Sequence, residues 1–236
     1  MEKIINADDF GLSPEVNRAI ETAARDGCLN STSLMVDEPE AKAAARLSKS
    51  LPGLKVGIHL DLKGYGFVHL LALSIFHRDW LETYATSEFR RQIEAARKMG
   101  IDVAHLDSHR HIHMIPLLFG VAEKLRAEYG IKRLRVVNED LLSTLRETRN
   151  PAPLWNGGLV KYILLKFLGR ISGAKSKVYF YSILNTMRLY GRNVRSIRAP
   201  GGFSAVEIAI HPSTIGDARL RELATLLDKD FPNRIL

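Results

Sequence analysis

The stretch "KIINADDFGLSPEVNRAIETAARDG", residues 3–27, joins a short apolar run to a helix pattern. Ser13 is a favoured residue for capping a helix N-terminus, Pro14 suits the first helical position, and Gly27 stands just past the end. A strand followed by a helix is the repeating unit of a parallel sheet, because a right-handed crossover needs the helix to bring the chain back. The stretch therefore predicts an α/β fold.

The same unit recurs along the chain. Further strands are predicted at "STSLMV" 31–36, "KVGIHL" 55–60, "VAHLDS" 103–108, "RLRVV" 133–137 and "AVEIAIHP" 205–212. Helices are predicted at 39–50, 87–100, 116–130 and 215–229, whereas 61–86 is interpreted as a loop and 138–200 has no clear pattern. Seven or eight such units favour a single distorted (β/α) TIM-like barrel of parallel strands over residues 1–236. A doubly wound open sheet is the alternative.

Length and composition are those of one globular domain. The chain has 236 residues, of which 46% are hydrophobic and 25% charged. Cys28 is the only cysteine, which excludes an intramolecular disulfide. The sequence contains neither a secretory signal pattern nor an uncharged apolar run of about 18 residues, so we expect a cytoplasmic location.

Positive charge is concentrated in one segment. The net charge is +8, and residues 148–206 contain ten of the 34 lysines and arginines but no aspartate or glutamate, which leaves 24 basic against 26 acidic residues elsewhere. Such a segment is either a solvated basic face or a surface for an anionic partner such as lipid headgroups, phosphate or nucleic acid.

Residues 154–171 mix large apolar side chains with three basic residues. Peripheral contact with the inner face of a membrane through residues 154–198 and a buried helix with snorkelling lysines therefore both stay open. We expect no nucleic acid partner.

Titratable side chains fall at the ends of predicted strands. Asp8 and Asp9 end the first strand, His59 the third, Asp107 and His109 the fourth, and His211 the last. In parallel α/β folds these ends meet at one face, where the chemistry collects. One histidine alone is more often a packed core residue than a ligand. The joint placement of these groups on one face predicts a functional site.

These residue types suit a catalytic metal ion. A carboxylate and two imidazoles from separate strands are a common ligand set for Zn²⁺ and also suit Mn²⁺, Co²⁺ or Fe²⁺. Such an ion lowers the pKa of a water molecule and polarises a carbonyl group, and a second carboxylate can take the proton. One of Asp8 and Asp9 would then bind metal while the other acts as the base, and His211 could protonate the leaving group. The predicted reaction class is metal-assisted hydrolysis of an amide or ester.

Five motifs stand in order along the chain: "NADDFGLS" 6–13, "STSLMV" 31–36, "GIHL" 57–60, "HLDSHRHIHM" 105–114 and "HP" 211–212. In order and spacing they resemble those of the YdjC-like carbohydrate deacetylases. That family includes chitooligosaccharide deacetylases and deacetylase-like proteins associated with hopanoid biosynthesis. The resemblance is close over residues 1–137 and thin beyond them, except at His211.

The resemblance implies a distorted (β/α) barrel and one divalent metal ion, with magnesium or zinc favoured over manganese, cobalt or iron. Carried onto this chain, the metal ligands would be Asp9, His59 and His109. Asp8 would be the general base and His211 the general acid. The implied activity is hydrolytic deacetylation of an N-acetylated sugar with release of acetate.

Four further residues are candidates for contacts with the substrate or with the metal ligands. His111 and His113 alternate with the histidine of "DSH", which fits a shared pocket in an extended stretch and loop polarity otherwise. Asp107 could orient a ligand imidazole or cap the following turn. Family members often have an arginine shortly after the fifth strand, before a proline and a glutamate. Arg135 matches that arginine, although the proline is absent, and it could hold Asp8 ionised.

The sequence departs from the family where the substrate is selected. Residues 57–76, "GIHLDLKGYGFVHLLALSIF", are apolar where members commonly carry a glycine-proline loop. With the acid-free segment 148–206, this predicts a substrate that has an apolar tail and an anionic group, such as an acetamido sugar on a lipid carrier.

Two other functions stay open, and so does a homodimer. One is a metal-dependent phosphoesterase on the same barrel, since histidine and aspartate at strand ends also serve phosphate chemistry. The other is a non-catalytic glycan-binding protein, which is disfavoured because none of the five metal and catalytic candidates is missing.

Overall fold

A computed structural model of the chain describes residues 1–147, 157–189 and 196–236. Within them, seven strands form one sheet in which every neighbouring pair is parallel. The strands are β1 (Glu2–Phe10), β2 (Ser31–Leu34), β3 (Lys55–Leu60), β4 (His105–Ser108), β5 (Arg133–Leu134), β6 (Val178–Tyr181) and β7 (Ala205–Ile210). The helices are α1 (Pro14–Asp26), α2 (Ala41–Ser48), α3 (Phe67–Phe76), α4 (Arg78–Lys98), α5 (Pro116–Glu128), α6 (Leu141–Glu147), α7 (Gly158–Ile171) and α8 (Asp217–Leu227).

The strands follow the cyclic order of a barrel. Their spatial order is β5-β4-β3-β2-β1-β7-β6, with β1 paired to β7 on one side and to β2 on the other. The sheet curls into a half-barrel, and no ladder joins β5 to β6 in the described ranges. The prediction of a distorted (β/α) barrel with seven or eight parallel strands is confirmed, with seven strands. No described helix is both long enough and apolar enough to cross a membrane.

Side chains, rather than a strand ladder, connect the end of β5 to β6. Asn138 Nδ2 donates to the Val178 carbonyl at 2.9 Å, and the Phe180 amide donates to Asn138 Oδ1 at 2.7 Å. One residue further on, the buried Glu139 carboxylate accepts the Ile183 amide at 2.7 Å. These contacts hold the two edges of the half-barrel together.

Most of the predicted elements are present, with different ends. α1 begins directly after Ser13, whose Oγ accepts the Val16 amide at 3.3 Å. β5 contains two residues where five are predicted. The prediction of a loop over residues 61–86 is wrong, because the apolar run "FVHLLALSIF" forms α3, which packs Leu70 into the core, and α4 begins soon after it.

Polar side chains fill part of the half-barrel interior. The His105 ring is buried against β3 at Gly57, where an added Cβ would overlap the ring atoms. Ser33 Oγ lies 3.1 Å from His105 Nε2. Burial, with the charge of Arg133, lowers the pKa of His105 to about 4, so the ring is neutral at pH 7. Position 57 in β3 therefore requires glycine, because the His105 ring of β4 occupies the space that a side chain would fill.

Candidate metal centre and active site

β1 ends in a bulge that breaks the alternation of its side chains. The register of β1 with β2 shifts between Ala7 and Phe10, and Asp9 adopts a left-handed backbone conformation with φ 68°. Aspartate tolerates this region better than most residues do. Asp8 and Asp9 are both buried, and each lies within 4 Å of a histidine at the carboxyl end of the sheet.

Three potential ligand atoms come together around Asp9. Its Oδ1 lies 3.6 Å from His59 Nε2 and 3.5 Å from His109 Nδ1. For bonds of about 2.0 to 2.2 Å to a tetrahedral ion, ligand atoms stand roughly 3.3 to 3.6 Å apart. Asp9 Oδ1 is also buried without a hydrogen-bond partner among the described residues, and a cation would supply one. The three residues therefore fit one divalent ion.

A second group of possible ligands, formed by Asp8, His59 and Asp107, fits a cation less well. Arg135 NH2 lies 2.8 Å from Asp8 Oδ1 and 2.7 Å from Asp107 Oδ2, so a positive charge already stands between these carboxylates. A guanidinium does not give up its proton in proteins. The charge of Arg135 would repel a metal ion at this point. The candidate metal centre is therefore the group formed by Asp9, His59 and His109.

Asp107 determines which ring nitrogen His59 presents to Asp9. Asp107 Oδ1 lies 2.6 Å from His59 Nδ1, which leaves Nε2 facing Asp9. Ser33 Oγ donates to the other Asp107 oxygen at 2.6 Å. Burial lowers the pKa of His59, but the charges of Asp107 and Asp8 outweigh it and raise the pKa to about 9. A divalent ion at Nε2 would take the place of the proton.

Arg135 is fully buried and pairs with several carboxylates. Its NH1 and NH2 groups donate to Asp8 at 2.9 and 2.8 Å, and its Nε donates to Glu207 at 2.8 Å. Asn6 Nδ2 donates to Asp8 Oδ1 at 2.7 Å. Burial raises the pKa of Asp8, but the charge of Arg135 outweighs it and holds that pKa well below its usual range. Asp8 is therefore ionised at neutral pH.

His211 follows β7 and lies beside Asp8. Its Nε2 is 3.8 Å from Asp8 Oδ2, and its Nδ1 is 3.9 Å from Glu222 Oε2. The backbone amide of His211 donates to the same Glu222 oxygen at 2.7 Å. The side chain is 17% exposed, so the ring is accessible from the open end of the half-barrel. This position suits proton transfer to a group bound above Asp8.

The histidines after β4 do not share one pocket. Residues His109–Met114 form kinked 3₁₀ turns. The chain is therefore not extended here, and it does not point the rings of His109, His111 and His113 in the same direction. The His113 ring is buried, with Nδ1 2.5 Å from Ser108 Oγ and Nε2 3.0 Å from the Arg135 carbonyl. Burial lowers the pKa of His113 to about 4. Both of its ring nitrogens are used inside the fold, which leaves none for a substrate.

His111 is also buried but keeps one ring nitrogen without a partner in the described part of the chain. The ring packs edge-on against Phe180, with the centroids 6.0 Å apart. Burial and the nearby charge of Lys161 hold the pKa of His111 well below its ordinary value, so the ring is neutral.

Three charged residues at the site are missed by the sequence reasoning: Arg219, Glu222 and Glu207. Arg219 donates to Asp9 Oδ2 at 2.9 Å. Glu207 pairs with Arg133, the first residue of β5, and with Arg135, which follows that strand. A glutamate inside the apolar strand "AVEIAI" is a usable signal for Glu207. Arg219 and Glu222 stand three residues apart in the helix after β7, a spacing that places both on one helix face.

The fold and the site together define a class of protein. It is a parallel (β/α) half-barrel whose strand ends carry a carboxylate and histidine cluster able to hold a divalent ion. The family model described as YdjC-like protein matches residues 3–236. This chain therefore belongs to the YdjC-like protein family.

Curated relatives include the chitooligosaccharide deacetylases of Salmonella paratyphi B, 36% identical over 165 residues, and of Salmonella typhimurium, 35% identical over 165 residues. Each match covers 62% of this chain and 66% of the relative, just under two thirds of its length.

A solved structure from Enterococcus faecalis V583, provisionally described as a cellobiose-phosphate cleavage protein, matches this fold with a TM-score of 0.69. The match covers 99% of this chain and 93% of that chain at 20% sequence identity, so it supports the fold alone.

Proposed function

We propose that this protein is a metal-dependent carbohydrate deacetylase, which hydrolyses the acetamido group of an N-acetylated sugar and releases acetate. The observation that carries the proposal is the buried Asp9 Oδ1. It lacks a hydrogen-bond partner among the described residues and lies 3.6 and 3.5 Å from the imidazole nitrogens of His59 and His109. The relatives named chitooligosaccharide deacetylases support the substrate class.

Asp9, His59 and His109 would hold the ion. When bound, a divalent cation supplies Lewis-acid chemistry, because it polarises a carbonyl oxygen and lowers the pKa of water. Two imidazoles and one carboxylate favour zinc, with magnesium, manganese, cobalt and iron as the other candidates. Arg219 holds the second oxygen of the Asp9 carboxylate at 2.9 Å, which fixes the direction in which Oδ1 points.

Asp8 would act as the general base. The ion pair with Arg135 keeps Asp8 ionised, and each carboxylate oxygen has two lone pairs, so Oδ2 can accept a proton while it keeps its arginine bond. Asp8 takes that proton as the water oxygen attacks the acetyl carbon. Arg135 would therefore position the base without touching the substrate.

His211 would act as the general acid. Its Nε2 lies 3.8 Å from Asp8 Oδ2, close enough for both groups to serve one scissile bond. The ring gives a proton to the sugar nitrogen as the C–N bond breaks, so the products are acetate and a free amine. Glu222 contacts both the backbone and the ring of His211 and would set the orientation of the ring.

An acetamido sugar with an anionic group, carried on a lipid, is the finer proposal. Lys161 and Arg188 line a cavity of about 370 Å³ at the start of α7, and neither makes an ion pair with a described residue. Ile183 and Leu184, which follow β6, line the same cavity, so it lies toward the carboxyl end of the sheet, where β1 presents Asp8. Two cations around a cavity at this end of the sheet suit a phosphate on the substrate.

The test is a mass-spectrometric screen of acetylated glycans and glycolipids for the loss of one acetyl group by the metal-loaded protein. We expect Asp8→Asn to keep its metal and lose turnover. Released phosphate instead of acetate would support the phosphoesterase, and glycan binding without turnover would support the non-catalytic alternative. Equal activity on soluble acetylated chitobiose and on every lipid-linked acetamido sugar would contradict the proposal that the substrate is carried on a lipid.

A further inference from the structure

The helix α7 exposes a continuous apolar stripe to solvent. One face of the helix packs against the barrel, and the opposite face carries four large apolar side chains that are each more than half exposed: Val160, Ile163, Phe167 and Ile171. Steps of three and four residues place them on one side of the helix, along a length of about 17 Å. Single exposed apolar residues are common, but a continuous stripe indicates an interaction surface.

Basic residues border this stripe. Arg170 lies between Phe167 and Ile171 along the helix, and Lys175 and Lys177 follow the helix end, all three with exposed side chains. None of these cations makes an ion pair with a described residue. The segment that contains them has no aspartate or glutamate, and Glu123 of α5, which lines a cavity with Lys175 and Lys177, is already paired with Arg126. The surface is therefore both apolar and positive.

We propose that α7 docks the protein on a bilayer that contains anionic lipids. The apolar stripe lies at the boundary between headgroups and acyl chains, and Arg170, Lys175 and Lys177 contact the lipid phosphates. A helix with an apolar face and basic flanks lies in the plane of the membrane. None of these side chains belongs to the site of the proposed chemistry, so the docking stands independently of that chemistry.

A second copy of this chain fits the same surface less well. A two-fold contact pairs a surface with its own copy, and segment 148–206 contains no aspartate or glutamate, so the second segment would offer these basic residues no carboxylate. Like charges across an interface oppose association. Four partly exposed side chains also fall short of the roughly 800 Å² that each partner of a stable interface buries. Anionic lipid headgroups carry the charge opposite to that of these basic residues, whereas a second copy would add more positive charge.

Docking through α7 would bring the open end of the half-barrel close to the bilayer. The first turn of α7, with Lys161, lines a cavity together with Ile183 and Leu184, which follow the carboxyl end of β6. A substrate held in the membrane by an apolar tail could then reach the site from the lipid side. This consequence, unlike the docking, rests on the proposed function.

The test is flotation of the 236-residue chain with vesicles of phosphatidylcholine, with and without phosphatidylglycerol. We expect binding to the phosphatidylglycerol vesicles that weakens as salt is added. Each cation near the surface contributes about fivefold to partitioning, so neutralising Arg170, Lys175 and Lys177 to glutamine should lower partitioning on the order of a hundredfold. Phe167→Gln together with Ile163→Gln should abolish binding that remains at high salt.

Matched controls use another face of the fold. Glutamine at Lys42, Arg46 and Lys49, on and after α2, removes the same number of exposed charges and should leave partitioning within a few fold. Circular dichroism and thermal unfolding confirm that each variant is folded. Absence of binding to phosphatidylglycerol vesicles, an equal loss in the α2 variant, or a dimer that the α7 changes dissociate would overturn the proposal.

A direct measurement of insertion uses the single cysteine of the chain. In a Cys28→Ser background, Phe167→Cys labelled with an environment-sensitive fluorophore should shift to shorter wavelength on phosphatidylglycerol vesicles. The same label at Lys42→Cys should not shift. An unshifted label at position 167 on protein that floats with the vesicles would mean that another surface docks. Loss of docking with acetate release intact would leave the proposed function standing.

Discussion

Arg135 and Asp8, 127 positions apart in the sequence, form a bidentate ion pair with donor distances of 2.9 and 2.8 Å. Both side chains are almost completely buried. The planar guanidinium matches the two carboxylate oxygens, so the pair fixes the orientation of Asp8 as well as its charge. The contact joins the first strand of the sheet to the segment after β5, and it thereby links the fold to the proposed base.

Removing this arginine should destabilise the fold strongly. Arg135→Ala leaves Asp8, Asp107 and Glu207 buried without their shared cation, and breaking a buried pair in this way costs about 3 to 5 kcal/mol. Urea unfolding measures the loss. Arg18→Ala, which breaks an exposed pair with Glu15, is the control and should cost much less, because solvent screens that pair. Similar losses for the two variants would mean that Arg135 does not hold the three carboxylates together.

Arg135→Lys tests the positive charge at position 135 separately from the geometry of its hydrogen bonds to Asp8. Lysine keeps a cation in the site but cannot donate two parallel bonds to Asp8. We expect metal binding close to that of the wild type and a lower kcat, since Asp8 would lose its orientation. Unchanged kcat in a folded Arg135→Lys protein would exclude the positioning role.

Metal affinity should depend on Asp107, although Asp107 is not among the proposed metal ligands. Asp107 Oδ1 lies 2.6 Å from His59 Nδ1 and sets the tautomer that presents Nε2. Loss of such an outer carboxylate lowers metal affinity about 10- to 100-fold. Calorimetric titration of zinc into Asp107→Asn measures this change. His59→Ala should lose more affinity than Asp107→Asn, and His211→Asn should bind zinc as the wild type does. Equal zinc affinity in Asp107→Asn and wild type would contradict this arrangement.

The buried carboxyl of Glu139 should make stability depend on pH. Burial raises its pKa from 4.5 to about 7, against the hydrogen bonds from Thr144 and from backbone amides after β6. Between these values the folded state binds more protons than the unfolded state, so the free energy of unfolding falls as pH rises. The penalty is complete above about pH 7 and reaches roughly 3 kcal/mol.

Glu139→Gln removes this titration. The free energy of unfolding of the variant minus that of the wild type should therefore increase from about pH 5 to about pH 8. Urea unfolding at a series of pH values measures it. A constant difference would mean that the hydrogen bonds keep Glu139 ionised throughout.

Much of the site follows from sequence because it lies at strand ends. Asp9, His59 and His109 each end or follow an apolar run, and parallel topology brings such ends together. The resemblance to a known family selects the second aspartate as the ligand. The bulge with φ 68° at Asp9 brings both aspartates within 4 Å of a histidine, although residues that alternate along a strand would face apart.

Other parts of the site do not follow from local patterns. Arg219 contacts Asp9 across 210 positions, and nothing in the helix "DARLRELATLL" distinguishes this arginine from a solvated one. The histidines after β4 follow an alternating pattern, but the backbone forms 3₁₀ turns, so His113 points into the fold. Asn138 bridges β5 and β6 with a side chain, a contact that hydrophobic periodicity does not encode.

Gly57→Ala should disturb both stability and metal binding. A Cβ at this position would overlap the His105 ring, which cannot move freely because Ser33 contacts its Nε2 at 3.1 Å. Overpacking of a filled interior costs about 1 to 3 kcal/mol. The strand must shift to relieve the overlap, and His59 stands two residues further along it, so zinc affinity should fall as well.

Gly120→Ala is the matched control, because its Cβ would meet no atom within 4 Å and alanine favours a helix interior by roughly 0.5 to 1 kcal/mol. Urea unfolding and zinc calorimetry on the two variants should give opposite signs for stability and a loss of zinc affinity for Gly57→Ala alone. A Gly57→Ala protein as stable as the wild type would mean that β3 and β4 can separate without cost, and that the His105 ring does not set their spacing.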